Sequence, residues 1–224
     1  RRADVVLTHT DAQAVAARGL GARSVVVQPL PPVLESRPVR TAAPRASRDD
    51  PLEVLCFGLV RPYKGVDVLI RAVAQVPSVR LTVAGEFWVP EAELRALAES
   101  LGAAERVRFV SGYVPIDQVA ALYGAGLLAE MPSRSATGSG NIRLAIEHRV
   151  PVVVTRVGDL PDAVADGVGL VCEPDDVDSL RSALAAATDP EELSRLQAAV
   201  ASRESTFDED WRAYTDAVLA CVAR

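Results

Sequence analysis

Arg61 and Lys64 lie close together in Gly58-Leu-Val-Arg61-Pro-Tyr-Lys64-Gly65, a segment that leaves an apolar run and enters a helix-forming one. The guanidinium is a planar fork of donors and the ammonium a compact point charge, a pairing that suits a diphosphate. Cations at a helix start are unfavourable unless an anion balances them, so anion binding outweighs two merely solvated basic side chains. A second segment of the same kind runs from Pro132 to Thr155 and contains Arg134, Ser135, Thr137, Gly138, Ser139, Gly140 and Asn141. Its glycines allow close backbone approach to a ligand, and a helix starting after them would offer free N–H groups and a positive dipole end. Gly85-Glu86-Phe87-Trp88 adds a carboxylate and two aromatics at a strand end, suited to a sugar or a base, although packing under a loop is the commoner role. Gly158 stands in a fourth turn, Thr155–Asp159.

These segments need a frame. Apolar runs at Val54–Phe57, Leu81–Ala84, Val107–Val110, Leu127–Met131, Val150–Val154 and Gly169–Cys172 alternate with stretches whose apolar residues recur at helical spacing, such as Val66, Leu69, Ile70 and Val73. The pattern predicts an α/β domain with a Rossmann-like, doubly wound parallel sheet. Ligands of such sheets bind beyond the carboxyl ends of the strands, which would gather all four turns on one edge. Before this domain, Val5–Leu7 and Ser24–Gln28 read as strands flanking an Ala-rich helix capped by Thr10 or Asp11. A Pro-, Arg- and Ser-rich stretch follows. The expected division is 1–32, a linker at 33–50, the main domain at 51–204 and a last helix at 205–224. A helix is also expected from about Asp159, with Pro161 in its first turn.

Composition narrows the partners. The chain has 224 residues and a net charge of −6, with 24 basic and 30 acidic side chains well mixed, which argues against a nucleic-acid polymer. The 3 cysteines are far apart and read as small buried hydrophobes in a reducing cytoplasm, with the inner face of a membrane as a compatible peripheral location. No His/Cys cluster suggests zinc and no Ser-His-Asp order suggests a hydrolase. His148 is expected at a helix end, where the dipole favours a cation. Neither Walker A nor G-x-G-x-x-G spacing occurs. The opening residues read as an interior strand, so the chain is expected to be the later part of a longer protein.

The segments FGLVRPYKGVDVLI, LTVAGEFW, RVRFVSGYVP, Pro132–Thr155 and RVGDLPDAVADGVGLVCEPDD, with a final Trp-bearing helix, resemble in order those of group 1 (family four) glycosyltransferases. The likeness covers most of 52–224 and implies the donor-binding half of a GT-B enzyme. It implies a nucleoside-diphosphate sugar as donor, transfer with retention, no essential metal or other cofactor, and an unknown acceptor: a saccharide, a lipid-linked sugar or a small molecule. An N-terminal half in cis or trans would complete the enzyme. Lys64 matches the family lysine that holds the diphosphate, while Leu59 stands where Arg is common and Arg61 takes its part. Ala136 and Leu144 stand where the family has two glutamates, as in a subgroup lacking that pair. By this reading Arg61 and Lys64 are catalytic, and Gly58, Gly85, Glu86, Arg134, Ser135, Thr137–Asn141 and Gly158 bind the donor. The alternative is a nucleotide-sugar-binding module without turnover; an epimerase would need acid/base residues that the chain does not display.

Overall fold

The computed structural model describes residues 4–31, 50–125, 128–136, 139–203 and 206–223. By chain contacts it divides into two units, one of Arg1–Glu35 with Glu204–Arg224 and one of Ser36–Arg203. In the first, strands β1 (Val6–Thr8) and β2 (Val25–Val27) pair in parallel around helix α1 (Asp11–Gly19). Thr10 is the N-cap, accepting from the Gln13 amide at 3.1 Å.

The second unit carries strands β3 (Leu52–Phe57), β4 (Val79–Gly85), β5 (Val107–Ser111), β6 (Leu128–Met131), β7 (Val152–Thr155) and β8 (Gly169–Cys172). Every pairing is parallel, and the order across the sheet is β5-β4-β3-β6-β7-β8. The chain therefore builds outward from β3 in one direction, returns, and builds outward in the other. Right-handed crossovers on either side of that reversal send helices to opposite faces, the doubly wound arrangement expected from the sequence. All four residues of β7 are buried, which explains its unbroken valine run: a parallel strand covered on both faces has no polar side to show.

Helix α2 (Val66–Ala74) lies between α3 (Glu91–Ser100) and α6 (Val177–Ala187). It buries Val66, Leu69, Ile70 and Val73 as their spacing requires, together with Val68 and Ala72. Helix α4 (Ile116–Ala125) packs on β3, and α5 (Gly140–Glu147) on β7. Two arginines fasten helix ends. Arg106 donates to the carbonyls of Val73, Ala74, Val76 and Val79 around the end of α2. Arg149, left-handed at φ 60° just past α5, donates to those of Val200, Ala201 and Arg203 at the end of α7 (Pro190–Ala201). Helix α8 (Phe207–Val222) belongs to the first unit, where Tyr214 lies 5.9 Å, ring to ring, from His9.

One expected helix is absent. The stretch after Asp159 makes only a 3-10 turn, Asp162–Val164, because left-handed Gly167 ends it within a few residues and turns the chain into β8.

Candidate functional site

The loops following β3 and β6 emerge side by side, because these two strands pair although far apart in sequence. This is the switch point of the sheet, where the order of winding reverses and where sheets of this kind form their ligand crevice. Side chains and backbone stitch its walls together. Asn141, in the first turn of α5, donates from Nδ2 to the Phe57 carbonyl at 2.5 Å. The Arg134 amide donates to the Tyr63 carbonyl at 2.7 Å. Two glycines make this closeness possible. Gly58 has φ +118°, and a Cβ there would come within 2.6 Å of Asn141 Nδ2; Gly65 has φ +66°, and a Cβ there would overlap the Pro132 carbonyl. On the neighbouring strands, Thr155 Oγ1 at the end of β7 donates to the buried Ser133 carbonyl at 2.5 Å. The β3 and β4 loops continue their ladder through Val60 and Phe87. Four turns are thus held as one edge.

Lys64 ends a 3-10 turn, Pro62–Lys64, and left-handed Gly65 then opens α2. Its ammonium lies 5.5 Å from the Tyr63 ring centroid and has no ion pair among the described residues. On the β6 loop, Ser139 precedes α5 in extended conformation without capping the helix by its side chain; the Ile142 amide turns back to the Ser139 carbonyl at 3.3 Å, and the amides of Gly140 and Asn141 are left to an outside acceptor. Ser135 is exposed and Gly140 half-buried on the same loop; Thr137 and Gly138 lie outside the described residues.

Arg134 stands differently from the expectation. Its guanidinium meets both Asp67 carboxylate oxygens, at 2.9 and 2.7 Å, and reaches Asp175 and the Pro62 carbonyl, each at 2.8 Å. Every nitrogen of the fork is engaged, so Arg134 ties the β6 loop to α2 and to the turn after β8, and its charge is met by carboxylates instead of an outside anion. Burial pushes the Asp67 carboxyl upward, but the Arg134 hydrogen bonds and charge outweigh it and hold it below its ordinary value. Asp67 is the partner of Arg134 that sequence reading missed. The available signal was an acid in the first turn of the helix that follows the basic loop.

Arg61 faces Trp88, its guanidinium carbon 4.2 Å from the indole centroid, and its Nε is buried without a hydrogen-bond partner among the described residues. The Gly85-Glu86-Phe87-Trp88 turn splits its roles. Phe87 packs against the core and toward Phe109, Trp88 is 62% exposed, and Glu86 is exposed. Gly85 has φ +136°, and a Cβ there would overlap the Gly58 carbonyl, so this glycine lets two loops touch. Gly158, φ 52°, lies exposed in the turn after β7. Next to it, burial raises the pKa of the Asp159 carboxyl.

His148 does not serve as a cation at the end of α5. It is 1% exposed and stacks on fully buried Tyr123, centroids 5.0 Å apart and planes 7° apart. Neither ring nitrogen has a hydrogen-bond partner among the described residues, and burial lowers its pKa, so desolvation prevails over the helix dipole. Leu144, in place of the expected glutamate, is 4% exposed. Among the described residues no His/Cys/Asp/Glu group could hold a metal.

A family model for glycosyl transferases group 1 matches residues 51–189. The chain belongs to that family. It is 35% identical over 185 residues to a D-inositol 3-phosphate glycosyltransferase of Mycobacterium marinum, a match spanning 77% of this chain and 38% of that one. A protein of the same description from Mycobacterium avium is 35% identical over 216 residues, spanning 91% and 50%. The chain thus matches half or less of the length of these relatives. Among solved structures, sucrose-phosphate synthase from Thermosynechococcus elongatus superposes with TM-score 0.78 at 23% identity, covering 100% of this chain and 60% of that one. Anabaena HepE in complex with UDP and glucose superposes with TM-score 0.74 at 19% identity, covering 97% and 63%. The likeness to these structures places the sheet and its helices in the GT-B class of folds.

Proposed function

We propose that the crevice between β3 and β6 binds a nucleoside-diphosphate sugar, and that the enzyme transfers its glycosyl group with retention to an acceptor presented by an N-terminal half in cis or trans. One observation supports the reading: Lys64, without an ion pair among the described residues, and the uncapped start of α5 belong to the loops that leave the paired strands β3 and β6, and Asn141 joins those loops through the Phe57 carbonyl. Support also comes from family membership and from HepE, a neighbour of like fold solved with UDP and glucose.

In the transfer step the bond between the sugar's anomeric carbon and the diphosphate oxygen breaks, and negative charge grows on the departing diphosphate. A fixed ammonium and aligned amides placed there stabilise that charge as it forms, without reorganising. Arg61 serves the same group once it leaves the face of Trp88. The roles of Ser135, Ser139 and Gly140 are backbone approach and hydrogen bonding to donor oxygens, while Arg134 acts by holding the loop.

A second reading, donor binding without turnover, is favoured by one feature. Leu144 is packed into the core where a carboxylate would contact the donor, and Ala136 supplies none either. Calorimetry with UDP-, GDP- and ADP-sugars tests the shared part of both readings. One donor should bind, and Lys64→Ala should weaken it by at least ~1.5 kcal/mol, about tenfold. Equal binding by the variant, or no binding to any donor, contradicts the site. A transfer assay with the complete protein then separates enzyme from binding module.

A further inference from the structure

A cavity of about 550 Å³ opens between α2 and α3, lined by residues of both helices and by the Val60–Pro62 turn. We infer that it is a second binding site, for an organic anion with an apolar body. Its size falls within the usual range for small-molecule sites. Val66, Val89, Leu94 and Leu97 give it an apolar wall, and its charged groups are Arg61, Arg71, Arg134, Asp67 and Glu93.

The charges do not cancel. Asp67 stands one helical turn before Arg71, the spacing at which an acid normally pairs with a base. Arg134 takes both oxygens of Asp67 instead. Arg71 is left exposed, with no ion pair among the described residues. Arg61 has no ion pair among the described residues either; its guanidinium lies on the Trp88 ring and its Nε is buried without a hydrogen-bond partner among them. Two guanidiniums therefore face the cavity against the single carboxylate of Glu93, a local positive excess on a chain whose net charge is −6. An anion answers the arginines, and an alkyl or ring body covers the valines and leucines. Because Arg61 belongs both to this cavity and to the loop that carries Lys64, an occupant draws Arg61 away from Trp88 and couples the two sites.

Octyl phosphate below its micelle concentration is the probe, with inorganic phosphate and octanol as the two halves of it, titrated by calorimetry into the whole chain. Octyl phosphate should bind saturably, and each control at least about tenfold more weakly, since both halves contribute. Arg71→Ala should weaken octyl phosphate about fivefold, Glu93→Gln should strengthen it, and Lys64→Ala should leave it unchanged. Both Arg71 and Glu93 are exposed helix positions, so neither substitution threatens folding. Inorganic phosphate or octanol binding as tightly as the probe, indifference to both cavity substitutions, or no saturable binding overturns the inference. A loss in Lys64→Ala equal to that in Arg71→Ala also overturns it, since the probe would then be reading the donor crevice. Failure of the nucleotide titrations alone leaves this result standing.

Discussion

Gly65 shows how much one missing methyl group can decide. Its backbone is left-handed and a Cβ would meet the Pro132 carbonyl, so any side chain there must both strain φ and part the two loops. Gly65→Ala should cost more than ~1 kcal/mol in urea unfolding, and it should weaken donor binding as well, whereas a purely conformational cost would spare the affinity. His148 gives a second test at this scale. Burial lowers its folded pKa below the unfolded value of about 6.5, so the unfolded chain binds the proton more readily. The stability tied to the neutral ring is fully present above that pH and is lost as pH falls below it. His148→Phe should remove this dependence between about pH 5 and 7, measured as unfolding midpoints across that range; an unchanged slope would place the ring in a wetter setting than its 1% exposure implies. Glycine-rich turns and the Lys64 cation were legible in the sequence, because they announce themselves locally. The Tyr123–His148 stack and the Arg134–Asp67 pair were not, since each joins residues whose proximity only the folded chain creates.

Strands and helices were largely legible because burial imposes period and composition. The valines of β7 and the spacing of α2 are direct consequences of what each element covers. The turn at Asp162–Val164 was misread as a longer helix because the local signal, Pro161 in a polar first turn, is shared by helices and 3-10 turns. Strand order could not be read locally at all, although it decides which loops become neighbours. The Arg134 strap depends on that order, joining the β6 loop, α2 and the turn after β8. Arg134→Ala should destabilise the chain by about 1–2 kcal/mol, with Arg134→Lys intermediate because an ammonium cannot make the paired contact. The contribution should be fully present above about pH 4 and fade as pH falls through the lowered Asp67 pKa, where the carboxylate gains a proton. Urea unfolding at pH 7 and pH 3 measures both effects. A strap of no consequence at either pH would make the ion pair incidental.

For the molecule as a whole, the chain matches no more than half the length of its D-inositol 3-phosphate glycosyltransferase relatives. On the proposed reading, its own share of the reaction is to hold the donor and receive the charge that leaves with the diphosphate. Nucleotide alone should therefore stabilise this chain. At about a hundred times the dissociation constant the gain is ~2.7 kcal/mol, visible as a raised thermal midpoint in the wild type and cut to ~1.4 kcal/mol or less in Lys64→Ala at the same concentration, because a tenfold weaker site is then at only about ten times its own constant. The most direct measurement is a crystal structure of the chain with a bound nucleoside diphosphate. The diphosphate should lie within ~3 Å of Lys64 Nζ and of the first amides of α5, between the ends of β3 and β6. A nucleotide seated elsewhere, with the Lys64 ammonium still uncompensated, would contradict the assignment of this crevice as the donor site.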